Sequence, residues 1–200
     1  MTESQLIQLL GTSRILPVIR AASADLAFGR AKTIIEAGLS LLEIAWTTPN
    51  AAQVLKTLRD RPDLTVGAGT ILNEDMAHEA VDAGAQFLLA PNLSHQVAEV
   101  SRRSRVPYLP GVLTADEVAR ALDEALTLLK LFPATTGGVS HMRALHEPFP
   151  GIRWVPTGGI SWETADEWIQ AGAVAVGMGS ALFNVDDLSV AVQTLQGAGA

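Results

Sequence analysis

Short apolar runs alternate with helix-like amphipathic segments along almost the whole chain, and the runs are apolar at odd and even positions alike. A half-exposed antiparallel strand would alternate apolar with polar. A run that is apolar on both parities suits a parallel sheet covered on two faces. Eight such runs can be read: ILPVIR (15–20), SLLEIAW (40–46), LTVGAG (64–69), QFLLAP (86–91), PYLPG (107–111), TLLKLF (127–132), IRWVPTGG (152–159) and AVAVGMG (173–179). Helices are predicted between them at 23–38, from Pro49 to about 59, at 73–83, 94–104 and 114–125, near 138–147, from Ser161 onward, and at 187–196. Eight strand–helix units predict an α/β fold closed as a (β/α)8 TIM barrel. A doubly wound open sheet is the rival arrangement. An extra helix over 2–10 is expected to cover the barrel floor. With 200 residues and no linker-like or low-complexity stretch, one domain over 1–200 is expected.

Composition narrows the function. There is no cysteine, so disulfides and thiolate zinc sites are excluded. The net charge of −7 disfavours non-specific binding to nucleic acid. No stretch approaches the roughly 18 apolar residues that span a bilayer. The opening MTESQLIQLLGTSR lacks the basic and apolar regions of a secretory leader. The expectation is a soluble, cytoplasmic protein without nucleic-acid or membrane partners. The four histidines show no ligand spacing, so no metal and no other cofactor is expected.

In a barrel of this kind chemistry sits at the C-terminal ends of the strands. Lys130 lies in the run LLKLF, on the face shared by Leu128 and Phe132. A buried ammonium is costly, and a desolvated neutral amine is a nucleophile toward carbonyls. The plainer reading is a lysine that snorkels or pairs with a carboxylate. Glu43, in LLEIAW, poses the same problem with the opposite charge. It reads as a general acid/base or as the salt-bridge partner of Lys130. Together on two strands, the pair points to chemistry more than either residue does alone.

Gly158 and Gly159 follow the seventh run; Gly179 and Ser180 follow the eighth. Backbone N–H groups in such loops can cradle a phosphate, although ordinary tight turns favour glycine too. Arg20, ending the first run, is a candidate to add charge there, or else a solvated arginine. Thr47 and Thr70 follow the second and third runs, and either bind substrate or cap the next helix. Pro91 ends the fourth run, where a rigid turn is the plainer reading. With Phe132 and Thr157, the residues Arg20, Thr47, Thr70 and Pro91 form the candidate substrate-binding set.

The segments LPVIRA, LLEIAWTTPNA, VGAGTIL, FLLAPNL, YLPGVLT, LLKLFPA, WVPTGGI and AVGMGSAL, in this order, resemble the KHG/KDPG aldolase family over nearly the whole length. KDPG is 2-keto-3-deoxy-6-phosphogluconate. The resemblance implies a class I aldolase on a TIM barrel, usually a homotrimer, acting on a small keto-acid phosphate. It implies Lys130 as the Schiff-base residue and Glu43 as the acid/base. It places Thr70 at the pyruvate end, links Thr157 to substrate stereochemistry, and assigns the glycine loops to phosphate. The expected reaction gives pyruvate and glyceraldehyde 3-phosphate, with 4-hydroxy-2-oxoglutarate as a further candidate substrate. The alternatives are the galactonate epimer and a phosphate-binding barrel without aldolase chemistry. Position 47 departs from the members that carry arginine there, and Arg20 is the candidate replacement.

Overall fold

The computed structural model describes residues 1–197. Its helices are α1 (Glu3–Ser13), α2 (Ala24–Glu36), α3 (Ala51–Arg59), α4 (Glu74–Asp82), α5 (His95–Ser104), α6 (Ala115–Asp123), α7 (Gly138–His146), α8 (Trp162–Gln170) and α9 (Leu188–Gly197). Its strands are β1 (Ile15–Ile19), β2 (Leu41–Ala45), β3 (Thr65–Gly69), β4 (Leu88–Leu89), β5 (Tyr108–Leu109), β6 (Gly111–Val112), β7 (Leu128–Leu131), β8 (Arg153–Trp154) and β9 (Val176–Met178). Every strand pairing is parallel. The class is therefore α/β with a curled parallel sheet and helices outside it.

Among the described residues the strands are hydrogen-bonded as two sheets, of order β5-β4-β3-β2-β1-β9 and β6-β7-β8. Individual runs also differ from their expected bounds. The fifth run splits at Pro110, which has no N–H to give the ladder. Its carbonyl still accepts from Lys130 N–H at 2.9 Å. The seventh run shortens to Arg153–Trp154, because Pro156 follows and Gly158 and Gly159 adopt φ of +97° and +76°. Helix α3 starts at Ala51 rather than Pro49, since Asn50 sits in the left-handed region with φ +57°.

Strand parity sorts the core into two parts. Ile19, Ile44, Ala68, Leu129 and Trp154 point outward into the large cluster under the helices. Leu16, Leu41, Phe87, Leu89, Leu109, Leu128, Val155 and Ala175 point inward and form a second cluster of their own. Leu6 and Leu10 of α1 join that inner cluster, so α1 plugs its end as expected. The helix is held by a capping box between Thr2 and Gln5. One residue-pair further along each strand, the inner face changes character. Leu16 gives way to Val18 and Arg20, Leu41 to Glu43, Leu128 to Lys130, and Val155 to Thr157. The apolar half stabilises the curled sheet; the polar half opens on a cavity.

Candidate active site

That cavity has a volume of about 320 Å³. Eleven of the twelve residues singled out from the sequence line it: Arg20, Glu43, Thr70, Pro91, Lys130, Phe132, Thr157, Gly158, Gly159, Gly179 and Ser180. Thr47 is the exception. It is exposed outside the wall, and its hydroxyl accepts from Arg20 Nη1. Sequence reasoning missed Val18, Ile160, Ser161 and Ala181 as wall residues. Val18 shares the parity of Arg20, which was the available signal.

Lys130 and Glu43 are 6% and 1% exposed. Neither is spent on the other: among the described residues, no ion pair within 4.0 Å joins them, and Glu43 Oε2 has no hydrogen-bond partner. Burial raises the Glu43 pKa above its ordinary 4.5, and the charges of Lys130 and Arg20 offset part of that rise. Lys130 Nζ lies 4.8 Å from the centroid of the Phe132 ring, a favourable cation–ring placement. Gly158 packs against that ring, since a Cβ there would come within 3.2 Å of Phe132 Cε2.

The Glu43 carboxyl fits because β3 offers no side chain beside it. Glu43 pairs with Gly67 in register, and a Cβ at Gly69 would fall 1.5 Å from Glu43 Oε1. Thr70, directly after, is held at φ +62°. A β-branched residue rarely adopts that conformation, and such strain collects at functional sites. The Thr70 hydroxyl accepts from Arg20 Nη2 at 3.2 Å. Thus two threonines, after β2 and β3, hold both arms of the Arg20 fork.

The opposite wall is made of backbone. The loops after β8 and β9 bring Gly158, Gly159, Gly179 and Ser180 together, with Ser161 as the N-cap of α8. They meet through a parallel bridge between Thr157 and Gly177. A Cβ at Gly159 would strike Thr135 Cγ2 at 2.2 Å, so the loop needs glycine for space as well as for its φ. The cavity therefore joins a buried amine, a buried carboxyl, a guanidinium held by two threonines and a glycine-lined corner.

Comparison with known proteins identifies the family. The sequence model described as "Aldolase: KDPG and KHG aldolase" matches residues 6–193. The chain is 32% identical over 182 residues to the KHG/KDPG aldolase of Escherichia coli K12, covering 90% of this chain and 85% of that one. It is 33% identical to the 2-dehydro-3-deoxy-phosphogluconate aldolase of Treponema pallidum, covering 82% and 79%. Among solved structures, the KDPG aldolase of Legionella pneumophila, with pyruvate captured as a covalent carbinolamine, superposes with a TM-score of 0.83. The identity is 26%, and 96% of this chain and 97% of that one are covered. On the family match, on the identity to its members and on the shared fold, the chain belongs to the KDPG and KHG aldolase family of lyases.

Proposed function

We propose that the chain cleaves 2-dehydro-3-deoxy-6-phosphogluconate to pyruvate and glyceraldehyde 3-phosphate through a Schiff base on Lys130. The observation that carries this reading is the pairing of buried, mutually unbridged Lys130 and Glu43 in one cavity. The Lys130 amine adds to the C2 ketone, and water leaves to give an iminium. The iminium accepts the electrons of the C3–C4 bond as the C4 hydroxyl gives up its proton. Glu43 receives that proton, directly or through one water. The C4 fragment departs as the aldehyde. Glu43 then returns a proton to C3 of the enamine, and hydrolysis frees pyruvate and the amine. A carboxyl whose pKa burial has raised suits both halves of this cycle.

Arg20, held by Thr47 and Thr70, would receive the substrate carboxylate, taking the role of the arginine that other members carry at position 47. Gly158, Gly159, Gly179 and Ser180 would receive the phosphate. Pro91 and Phe132 would form the apolar wall around the reacting carbons. Thr157, 7% exposed, keeps a hydroxyl in the wall near these groups. That hydroxyl favours the gluconate epimer, because galactonate-type relatives tend to be apolar there. 4-Hydroxy-2-oxoglutarate, split to pyruvate and glyoxylate, is the second substrate in this reading.

The same reading takes residues 1–200 as one domain and the two hydrogen-bonded sheets as a single closed eight-strand ring. Its supports are β5 and β6, which flank Pro110 in one run, and the hydrogen bond from Gly177 N–H to Pro156 C=O at 2.8 Å. It takes a cytoplasmic homotrimer as the working form, on family resemblance. The deciding experiment is borohydride reduction with pyruvate followed by peptide mass spectrometry. The expected adduct is on Lys130. An adduct on Lys32 or Lys56, or none at all, would reject the reading. Cleavage rates on the two phosphorylated epimers decide between gluconate and galactonate.

A further inference from the structure

One side chain outside the cavity touches two of the segments that border it. Arg30, half-buried on α2, donates through Nη1 to the main-chain carbonyl of Arg20. Its guanidinium carbon also stands 5.2 Å from the centroid of the Phe183 ring. Phe183 ends the short helical turn Ser180–Phe183, whose first two residues line the glycine-rich corner. The turn is also anchored by Leu182, fully buried in the core, and by Trp162, whose indole N–H donates to Leu182 C=O at 3.2 Å.

We propose that Arg30 is a positioning residue that braces the turn Ser180–Phe183 against the end of β1, and so fixes the spacing between the anion corner and Arg20. The proposal rests on the reading of that corner as the phosphate site. The chemistry suits arginine in particular. Its planar fork donates to a carbonyl while its face lies on a ring, and an ammonium cannot do both in one geometry. Arg30 does not line the cavity, so it acts through the two segments it joins. A substrate whose phosphate sits in the corner senses that spacing, whereas a shorter dicarboxylate without a phosphate does not.

The test compares Arg30→Met, Phe183→Leu and the double variant on KDPG and on 4-hydroxy-2-oxoglutarate, which has no phosphate. Arg30→Met is expected to raise KM for KDPG about tenfold, the scale of a lost cation–ring contact and charge-assisted hydrogen bond, and Phe183→Leu, which loses the ring contact alone, about threefold to fivefold. The rate on 4-hydroxy-2-oxoglutarate should change less than about threefold, and borohydride trapping of pyruvate should persist. The double variant should be no worse than the worse single one, because both changes break one contact. Equal losses on both substrates, or additive losses in the double variant, would overturn the proposal. If Arg30→Met does not melt cooperatively, Phe183→Leu reads the same contact. Inorganic phosphate as competitor separates the two levels. If it fails to compete in the unaltered protein, the phosphate reading falls and the inference with it. If it competes equally in Arg30→Met, the inference alone falls.

Discussion

Glu43 occupies space that only a glycine at position 69 leaves free: a Cβ there would lie 1.5 Å from Glu43 Oε1. Gly69→Ala should therefore move the carboxyl off the reacting carbons. We expect kcat to fall about a hundredfold or more, the usual scale for losing a positioned acid/base group. Pyruvate should still form a trappable imine on Lys130. Steady-state kinetics beside borohydride trapping measures both; unchanged kcat would refute the dependence.

Glu43→Gln tests the carboxyl directly. It should lower kcat by about 10²–10⁴-fold while KM changes little. The acid limb of the wild-type rate profile should lie above pH 4.5, because burial raises the Glu43 pKa. That limb should be missing from the variant. A limb that persists in Glu43→Gln would assign the titration to another group.

The same shift makes a stability prediction. The folded protein holds the Glu43 proton more tightly than the unfolded chain, whose carboxyl titrates near 4.5. The contribution to stability is thus complete below pH 4.5 and is lost as pH rises through the folded pKa. Glu43→Gln carries no charge to bury, so its Tm should exceed that of the wild type at pH 7. The gap should close as pH falls toward 4.5. Calorimetry across this range checks the sign.

Lys130→Met keeps the stem and removes the amine. Activity and the borohydride adduct should both vanish. Stability should hold or rise, since a buried charge without a paired carboxylate is replaced by an apolar group of similar shape. A large drop in Tm would mean that Lys130 supports the fold instead.

Thr47→Val removes one of the two acceptors that fix the Arg20 fork. KM for pyruvate-end ligands should rise about fivefold, equivalent to roughly 1 kcal/mol for one hydrogen bond. The kcat should be nearly unchanged. Thr47→Ser keeps the hydroxyl and should restore the wild-type KM. Failure of that rescue would show that Thr47 acts by shape alone.

The sequence by itself determined the alternation of strands and helices, the parallel character of the sheet, and the two charges that an apolar strand should not carry. Those follow from local periodicity and from the cost of burying an ion, which need no neighbours to be recognised. The face that Lys130 shares with Leu128 and Phe132 was also legible from period two, but that this face is the inner one came from the structure. Only the tertiary structure decided what those residues face. Register set Glu43 beside glycines of β3 rather than in an ion pair with Lys130. The curl of the sheet turned Arg20 onto Thr47 and Thr70, and left Thr47 outside the wall it was expected to form. Ser161 shows the same division: its helix cap is written in the local sequence, but its place on the cavity wall comes from the loop after β8. Local propensity fixes the direction in which a side chain leaves its own strand. The partner it meets depends on the pairing and twist of strands distant in sequence, and no short window contains that information.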